Sequence, residues 1–254
     1  VFSSAGAGIV WTSISFDPTT AGKFVIAFQD AGTSEHGTVM VGTVSGTTLS
    51  FGSKYVFNSA STSNIAISLD PLNSGKFVVV YRDDANSDYG TAVVGTVSGT
   101  SISFGSEYNF NGSSEASYNS IDFDSLDSGK FVISYRDHGN SSYGTAIVGT
   151  VSGNSISFGS EVVFNSAGTS YISVSIDPST SGKFAIAYTD LSNWTGKVII
   201  GTVSGTSSSF GTASAFNGSG TATLPTVSFD SGAAGKFVIA YRDDANSGKG
   251  TAIQ

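Results

Sequence analysis

A sequence repeat of about 53 residues occurs five times along this chain, and it constrains the fold more than any other feature. Its Gly-Lys-Phe signature recurs at spacings of 53, 54, 53 and 53 residues, at Phe24, Phe77, Phe131, Phe184 and Phe237. A fixed period of this size is typical of repeat architectures. One such unit is too small to bury its own core, so we expect the repeats to pack on one another. The sequence predicts a single domain over 1–254, with repeats at about 1–55, 56–108, 109–162, 163–214 and 215–254.

Each repeat contains four short segments with strand character. The first, Thr12–Asp17 and its copies, alternates large apolar residues with Ser, Ala or Thr. The second and third, Phe24–Phe28 and Thr38–Val44, are apolar at nearly every position, which indicates strands buried on both faces. The fourth, Leu49–Phe57, is more polar, as expected of an outer strand. Asp-to-Gly-Lys and Ser-Gly turns separate the segments, and no segment shows helical periodicity over ten residues.

This order of segments predicts an all-β fold, a five-bladed β-propeller built from four-stranded repeats. A flat solenoid is the alternative, and it accounts less well for central strands that are buried on both faces. The last repeat is incomplete because the chain stops at Gln254, inside a third strand, while Val1 and Phe2 match the end of a fourth strand. Either the ring closes with one three-stranded blade, or the chain is a fragment of a longer array. A start at Val1 rather than Met predicts an N-terminus that is processed or cut from a longer protein.

Composition disfavours two classes of partner. The net charge is −8, and eleven basic residues spread over five repeats form no basic patch. We therefore expect no binding to nucleic acid or to anionic membrane surfaces. No apolar run approaches the roughly 18 residues that a membrane span needs, so no membrane insertion is predicted.

Large and chemically varied side chains gather at one set of loops. In a propeller, the loops between the second and third strands and the entries to the first strands lie on one face. The candidate ligand-binding residues on these segments are aromatic or basic: Trp11, Tyr118, Tyr171, Arg82, Arg136, Arg242, Tyr89, Tyr143 and Trp194. Aromatic faces flanked by Asn, Asp and Arg suit sugars, because rings stack on C–H surfaces and polar groups bind hydroxyls. In the alternative interpretation, the tyrosines cover apolar loop bases and the arginines pair with neighbouring aspartates.

Metal binding is not predicted. The aspartates at the end of each second strand occur in every repeat, which indicates structural turn caps; they are Asp30, Asp83, Asp137, Asp190 and Asp243. The run Asp84, Asn86, Asp88 resembles a calcium loop, but Gly90 comes one position late and the other repeats lose the acids. No cofactor is therefore expected, with calcium at this loop as the alternative.

Catalysis by a glycoside hydrolase needs two or three carboxylates on the first strands. Only Asp122 qualifies, because serine occupies its place in the other repeats. One carboxylate cannot serve as both acid and base or nucleophile. His36 and His138 are single loop residues without a partner set. We therefore predict no catalytic residues and no enzyme activity.

The phrases GTAIVGTVSGNSISFGSEVVFNS (Gly144–Ser166) and GKFVISYRD (Gly129–Asp137) resemble tandem repeats of tail-fibre-like and adhesin-like proteins of marine phages and bacteria. The resemblance covers essentially the whole chain, and it implies a virion or surface location and recognition of a glycan or envelope component. The resemblance assigns no functional residues to this chain, because the shared sequence corresponds to strands and turns. The architecture is also similar to that of tachylectin-type five-bladed lectins, by analogy of fold alone.

Three functions follow as hypotheses. The first is a non-enzymatic adhesin-like or lectin-like module, extracellular, on a cell surface or on a virion, that binds surface glycans through one multivalent loop face. The second is a structural propeller whose loops contact other virion or surface proteins. The third, least consistent with the residues, is a glycoside hydrolase that depends on Asp122.

Overall fold

The computed structural model describes residues 8–112, 114–218 and 220–254, and nearly all of its regular structure is β-strand. The all-β prediction is confirmed. The match of Val1 and Phe2 to a fourth strand lies outside the described residues. Helical structure there is limited to three short 3-10 turns, each following a second strand: Ala31–Thr33, His138–Asn140 and Asp244–Asn246.

Two compact units can be distinguished, one comprising residues up to 115 with 151–157 and the other 116–150 with 158–254. The first two repeats form seven antiparallel strands: β1 (Ile9–Phe16), β2 (Lys23–Asp30), β3 (His36–Ser45), β4 (Thr48–Leu69), β5 (Lys76–Asp83), β6 (Tyr89–Ser98) and β7 (Ser101–Asn109). The third and fourth repeats contain β8 (Ala116–Phe123), β9 (Lys130–Asp137), β10 (Tyr143–Ser152), β11 (Ser155–Phe158), β12 (Val162–Ile176), β13 (Lys183–Asp190), β14 (Thr195–Ser204), β15 (Ser207–Phe210) and β16 (Ser214–Ala215). The fifth contains β17 (Ala222–Phe229), β18 (Phe237–Asp243) and β19 (Lys249–Ile253).

Two strands are longer than the four-segment pattern predicts. β4 and β12 each begin as the fourth strand of one repeat and continue as the first strand of the next. Between the second and third repeats, by contrast, Gly112 has φ of +66° and the chain breaks into β7 and β8. The residue after a shared Phe-Asn pair differs between the two cases: it is Ser59 or Ser166 in the fused strands, and it is Gly112, with its positive φ, where the chain breaks.

The core lies between consecutive repeats. In the first unit, Val25 and Ala27 of β2 share a buried cluster with Ile67, Phe77 and Val79 of the second repeat. In the second unit, alanines of β13 share an equivalent cluster with Val227, Ile239 and Tyr241 of the fifth repeat. The second strand of a repeat thus presents its Val/Ala side to the next repeat and its Phe/Ile/aromatic side to the previous one. This arrangement explains why the sequence of the central strands is apolar at consecutive positions.

The terminal repeats each leave one apolar side uncovered. On the first repeat, Ile14 and Phe16 are more than half exposed and border a hollow of about 630 Å³. On the fifth repeat, Val238 is 48% exposed and Ala240 beside it is also exposed. The equivalents of these residues in the internal repeats lie in the buried clusters.

Candidate functional site

The loop between the second and third strands is hydrogen-bonded to two first strands. Within a repeat, the Asp84 N–H donates to Ser61 O at 3.0 Å and the Leu191 N–H to Gly168 O at 2.8 Å. Toward the next repeat, the Thr62 N–H donates to Glu35 O at 3.1 Å. Equivalent bonds recur in the second unit, so within each unit the loops and the strand entries form one continuous edge. We call this edge the rim.

Every first strand carries a β-bulge at its rim end, and one residue of each bulge adopts a left-handed conformation. The strand pairing shifts register at the same place in all five repeats. The residues with positive φ, between +49° and +55°, are Trp11, Asn64, Tyr118, Tyr171 and Leu224. This conformation is uncommon for residues other than Gly, Asn and Asp, and it re-aims a side chain where a bulge interrupts the ladder. Sequence reasoning identified this set of equivalent positions, but the strand-like alternation around them gave no sign of the backbone strain.

The aromatic residues of the rim differ in their exposure and in the residues that they contact. Trp11 and Trp194 are about half exposed, at 48% and 49%. Tyr118 and Tyr171 are half-buried and meet edge to face, with ring centroids 5.2 Å apart. Tyr89 and Tyr143 are half-buried residues at the starts of β6 and β10. The second unit therefore brings two predicted aromatic residues, Tyr118 and Tyr171, into direct contact.

The positive charge of Arg82 is neutralised by three neighbouring carboxylates of the protein. Its Nε lies 2.6 Å from Asp84 Oδ1 and 3.5 Å from Asp88 Oδ1, and its Nη1 lies 2.9 Å from Glu115 Oε1. Burial acts to lower the pKa of the guanidinium, but these three carboxylates outweigh it and raise the pKa above the ordinary value. Arg82 thus forms the ion pairs that the alternative interpretation of the rim predicted, and Asp84 and Asp88 are the acids of the calcium-like run.

The three rim arginines are not equivalent. Arg242 is 57% exposed and its Nε lies 2.8 Å from Asp244 Oδ1. Arg136 is half-buried, and among the described residues no carboxylate lies within 4.0 Å of its guanidinium. Its Nε is buried and has no hydrogen-bond partner in that part of the chain.

At the arginine position, the other repeats have polar residues that tie neighbouring repeats together. Gln29 Nε2 donates to Thr62 O at 2.6 Å, and Thr189 Oγ1 donates to Ala222 O at 2.8 Å. In both cases the acceptor begins the first strand of the following repeat. Sequence reasoning missed this role, because Gln, Thr and Arg share no pattern beyond the ability to donate hydrogen bonds.

Four of the five repeated aspartates at the ends of the second strands act as turn caps. Asp83 is the exception to the prediction, because its Oδ2 accepts from Asn58 Nδ2 at 3.1 Å and its Oδ1 has no hydrogen-bond partner among the described residues. Asp30, Asp137, Asp190 and Asp243 each accept a backbone N–H from two or three residues further on. Asp190 also accepts from Lys197 Nζ at 2.6 Å. Burial acts to raise the pKa of Asp190, but the bonds from Lys197 and Ser192 outweigh it and lower the pKa below the ordinary value.

First strands of successive repeats are linked by side-chain acceptors. Ser13 Oγ accepts the Ile67 N–H at 3.2 Å and Ser15 Oγ accepts the Leu69 N–H at 3.0 Å. In the third repeat the position of Ser15 is taken by Asp122, whose Oδ2 accepts the Ile176 N–H at 2.8 Å. The carboxylate of Asp122 therefore makes the same link that a serine hydroxyl makes elsewhere.

The described part of the chain contains neither a cluster of metal ligands nor a helix that could span a membrane. Within 8–112, 114–218 and 220–254, no three His, Asp or Glu side chains cluster as metal ligands would. Across the same residues, no helix combines the length and apolar character needed to cross a bilayer.

No family model matches the sequence, and no curated protein matches it. Solved structures share its fold at low identity. An exo-β-1,3-galactanase from Phanerochaete chrysosporium has a TM-score of 0.53 and 13% identity, over 96% of this chain and 61% of the galactanase. A Penicillium chrysogenum α-L-arabinanase complexed with arabinobiose has a TM-score of 0.55 and 10% identity, over 92% and 75% of the two chains.

A lectin is also similar. The Aleuria aurantia lectin in complex with α-methyl-L-fucoside has a TM-score of 0.50 and 14% identity, and the alignment covers 97% of this chain and 92% of the lectin. This chain therefore spans less than two thirds of the galactanase and nearly all of the lectin. Because glycoside hydrolases and a lectin share the fold, the likeness does not distinguish binding from hydrolysis. It shows an all-β, propeller-like fold.

Proposed function

We propose that this protein is a non-enzymatic glycan-binding module that uses the rim. The observation that carries the proposal is the repeated bulge, which sets an equivalent left-handed residue at the rim in all five repeats. Three of these residues are aromatic: Trp11, Tyr118 and Tyr171. A strained residue kept at equivalent positions is a feature of ligand-contacting segments. Aromatic rings at such positions offer flat apolar surfaces beside the Asn, Ser and Arg side chains of the loops.

The hydrogen bonds of Asp122 favour glycan binding over hydrolysis, because its carboxylate has a structural role. Its carboxylate accepts the backbone N–H of Ile176 and also that of Phe123, the latter at 3.1 Å. A hydrolase requires a second carboxylate 5 to 10 Å away, on the order of the separations known for retaining and inverting enzymes. The equivalent first-strand positions of the other repeats carry serine, so the repeats supply no second acid there. The similarity to the galactanase and to the arabinanase is a similarity of fold, and it assigns no role to Asp122.

We further propose that the five repeats close into a five-bladed ring. The exposed Ile14 and Phe16 occupy the positions of buried Ile67 and Leu69, which face a preceding repeat. The exposed Val238 occupies the position of buried Ala185, which faces a following repeat. The two uncovered sides thus carry complementary halves of the interface that joins successive repeats.

The proposed setting is extracellular, on a cell surface or on a virion, where repeated weak sites gain avidity on multivalent glycans. The setting is proposed from the resemblance of the repeats and from the proposed glycan binding. A structural role in which the rim contacts another protein is the second candidate, because Arg82 and its carboxylates form a rigid charged cluster of the kind found at interface rims.

A glycan array tests the proposed function. The wild-type chain is expected to bind a subset of surface glycans, and Trp11→Ala and Tyr118→Ala are expected to weaken that binding about tenfold or more. Leu126→Ala is the matched control, since Leu126 is similarly exposed at 52% in a turn between first and second strands. Equal binding by all variants would exclude the rim. Co-purification with a protein partner and no glycan binding would favour the structural role.

A further inference from the structure

Arg136 differs from its counterparts because the acids that neutralise them are missing. Arg82 and Arg242 each have an aspartate two residues later, Asp84 and Asp244, and each pairs with it. In the third repeat that place is taken by His138. A basic side chain thus stands beside Arg136 where the other two repeats have a carboxylate.

The second acid of the Arg82 cluster is also missing. Glu115, whose Oε1 lies 2.9 Å from Arg82 Nη1, is three residues before Tyr118. The residue three before Tyr171, at the equivalent place for Arg136, is Gly168. The position of Asp88 is taken by Ser142. All three carboxylate positions around Arg82 are therefore without acids around Arg136, which agrees with its unpartnered Nε.

The scaffold around the two arginines is otherwise the same. Ser63 Oγ donates to Asp84 Oδ1 at 2.8 Å, and Ser117 Oγ lies 2.9 Å from His138 Nε2. Arg136 is paired across the strands with Ser117, the residue before Tyr118. Arg136 therefore lies across the strand pair from the bulge that carries Tyr118, whose ring contacts Tyr171.

Two acids of the third repeat, Asp137 and Asp122, accept backbone N–H groups. Asp137 accepts the Gly139 N–H at 3.0 Å and is buried, and Asp122 accepts the Ile176 N–H. Neither lies within 4.0 Å of the Arg136 guanidinium in the described residues. The positive charge of Arg136 thus has no internal counter-ion at contact distance.

We propose that Arg136 and His138, beside Tyr118 and Tyr171, bind the carboxylate of an acidic sugar, such as a uronic or sialic acid residue of a surface glycan. This inference rests on the proposed glycan-binding function. The Arg82 cluster is the internal comparison: the ligand's carboxylate supplies beside Arg136 and His138 the negative charge that Asp84, Asp88 and Glu115 supply beside Arg82. Charge-assisted hydrogen bonds to guanidinium are the strong class of such contacts, and the aromatic pair receives the sugar ring.

The test is calorimetric titration with galacturonate and galactose oligosaccharides of equal length. We expect the galacturonate oligosaccharide to bind about ten- to a hundredfold more tightly. Arg136→Gln and His138→Asp are expected to reduce that preference to about onefold, because the second change supplies the internal acid found beside Arg82. Arg136→Lys retains part of the preference, and Lys183→Gln, which removes a positive charge at the end of β13 away from the rim, is the control and leaves it unchanged.

The outcomes separate this inference from the function on which it rests. Equal affinity for the two oligosaccharides, or an acidic preference that survives Arg136→Gln, overturns the carboxylate subsite while leaving glycan binding intact. Equal preference for a sulfated galactose oligosaccharide shows that the site does not select carboxylate and also overturns it. Failure of both oligosaccharides and of the whole glycan array overturns the proposed function itself. Thermal unfolding of each variant confirms that the change in affinity is measured on folded protein.

Discussion

Five residues hold the bulge conformation on which the rim depends, and they differ in how well they tolerate it. Asn adopts left-handed φ readily, whereas Trp, Tyr and Leu do so at a cost of about 1 kcal/mol or more. Only Asn64 is thus the residue that backbone energetics would select. The retention of Trp11, Tyr118 and Tyr171 therefore indicates that their side chains, and not their backbones, determine these positions.

Leu224 tests the strain directly, because it is 58% exposed and has little packing to lose. Leu224→Asn is expected to stabilise the protein by up to about 1 kcal/mol, since Asn adopts the left-handed conformation more readily. Leu224→Val should destabilise it by about 1–2 kcal/mol, since a β-branched residue is a strong outlier there. Urea unfolding of the two variants measures both effects. A Val variant as stable as the Asn variant would show that the bulge does not strain the backbone.

The Asp190–Lys197 pair predicts a pH dependence. The pKa of Asp190 is lowered in the folded state, so the pair stabilises the fold above the ordinary aspartate pKa, and the stabilisation is lost as pH falls through the folded value. Lys197→Met leaves a buried carboxylate without its cation and should cost about 1–3 kcal/mol at pH 7, with a smaller loss at pH 3.5. Lys183→Met is the control, because Lys183 bonds only to Thr202 Oγ1 at its strand end. A loss that is the same at both pH values would contradict the ion pair.

At the scale of the element, the first four repeats use glycine where an aromatic ring crosses a strand. In the third repeat a Cβ on Gly149 would overlap the Phe131 ring, and one on Gly144 would lie 2.5 Å from Phe164 Cε2. The four-strand pattern and the turns were predictable from period-2 alternation and from the Asp, Pro and Gly positions. The fusion of strands in β4 and β12 was not, because it depends on the φ that a glycine adopts: Gly168 lies within β12 without turning the chain, whereas Gly112 turns it. The bulges escaped prediction because they change register without changing the apolar pattern.

Gly144→Ala and Gly250→Ala form a matched pair at equivalent positions of the third and fifth repeats. The first should destabilise by about 1–3 kcal/mol through overpacking against Phe164. The second should be nearly neutral, because no atom of the described chain lies within 4 Å of a Cβ built at Gly250. Chemical denaturation midpoints give the comparison. An equal loss at Gly250 would mean that an aromatic ring of a fourth strand covers the fifth repeat as well.

At the scale of the whole molecule, the same packing interface recurs between successive repeats. Repeats pack through a Val/Ala side against a Phe/Ile/aromatic side, and the first and fifth repeats each leave one such side exposed. The buried strands were predictable from the apolar runs. The sequence could not identify which arginine lacks a counter-ion, because that depends on acids from two different segments. Asp84 and Asp88 follow Arg82 in its own loop, and Glu115 is brought to Arg82 by its pairing with Tyr89.

Cross-linking tests ring closure, since the chain has no native cysteine. We expect Phe16→Cys combined with Val238→Cys to be joined within one chain by a short bismaleimide, giving a monomer of increased gel mobility. Each single variant is the control and should give no such species. Products that are only dimers or larger would show that the two sides meet other copies, which would contradict a closed ring of five repeats.

The most direct test of the central claim is the binding of glycan to a variant with altered rim aromatics and an intact backbone. Trp11→Asn, Tyr118→Asn and Tyr171→Asn combined place at three bulges the residue that the second repeat naturally has, which keeps the left-handed conformation. Affinity for an immobilised glycan identified on the array is then compared with that of Leu224→Asn, which changes a bulge without removing an aromatic ring. The account predicts that the triple variant loses binding by at least about a hundredfold while remaining folded, and that Leu224→Asn binds as wild type. Unchanged glycan binding by the folded triple variant would contradict recognition through the rim.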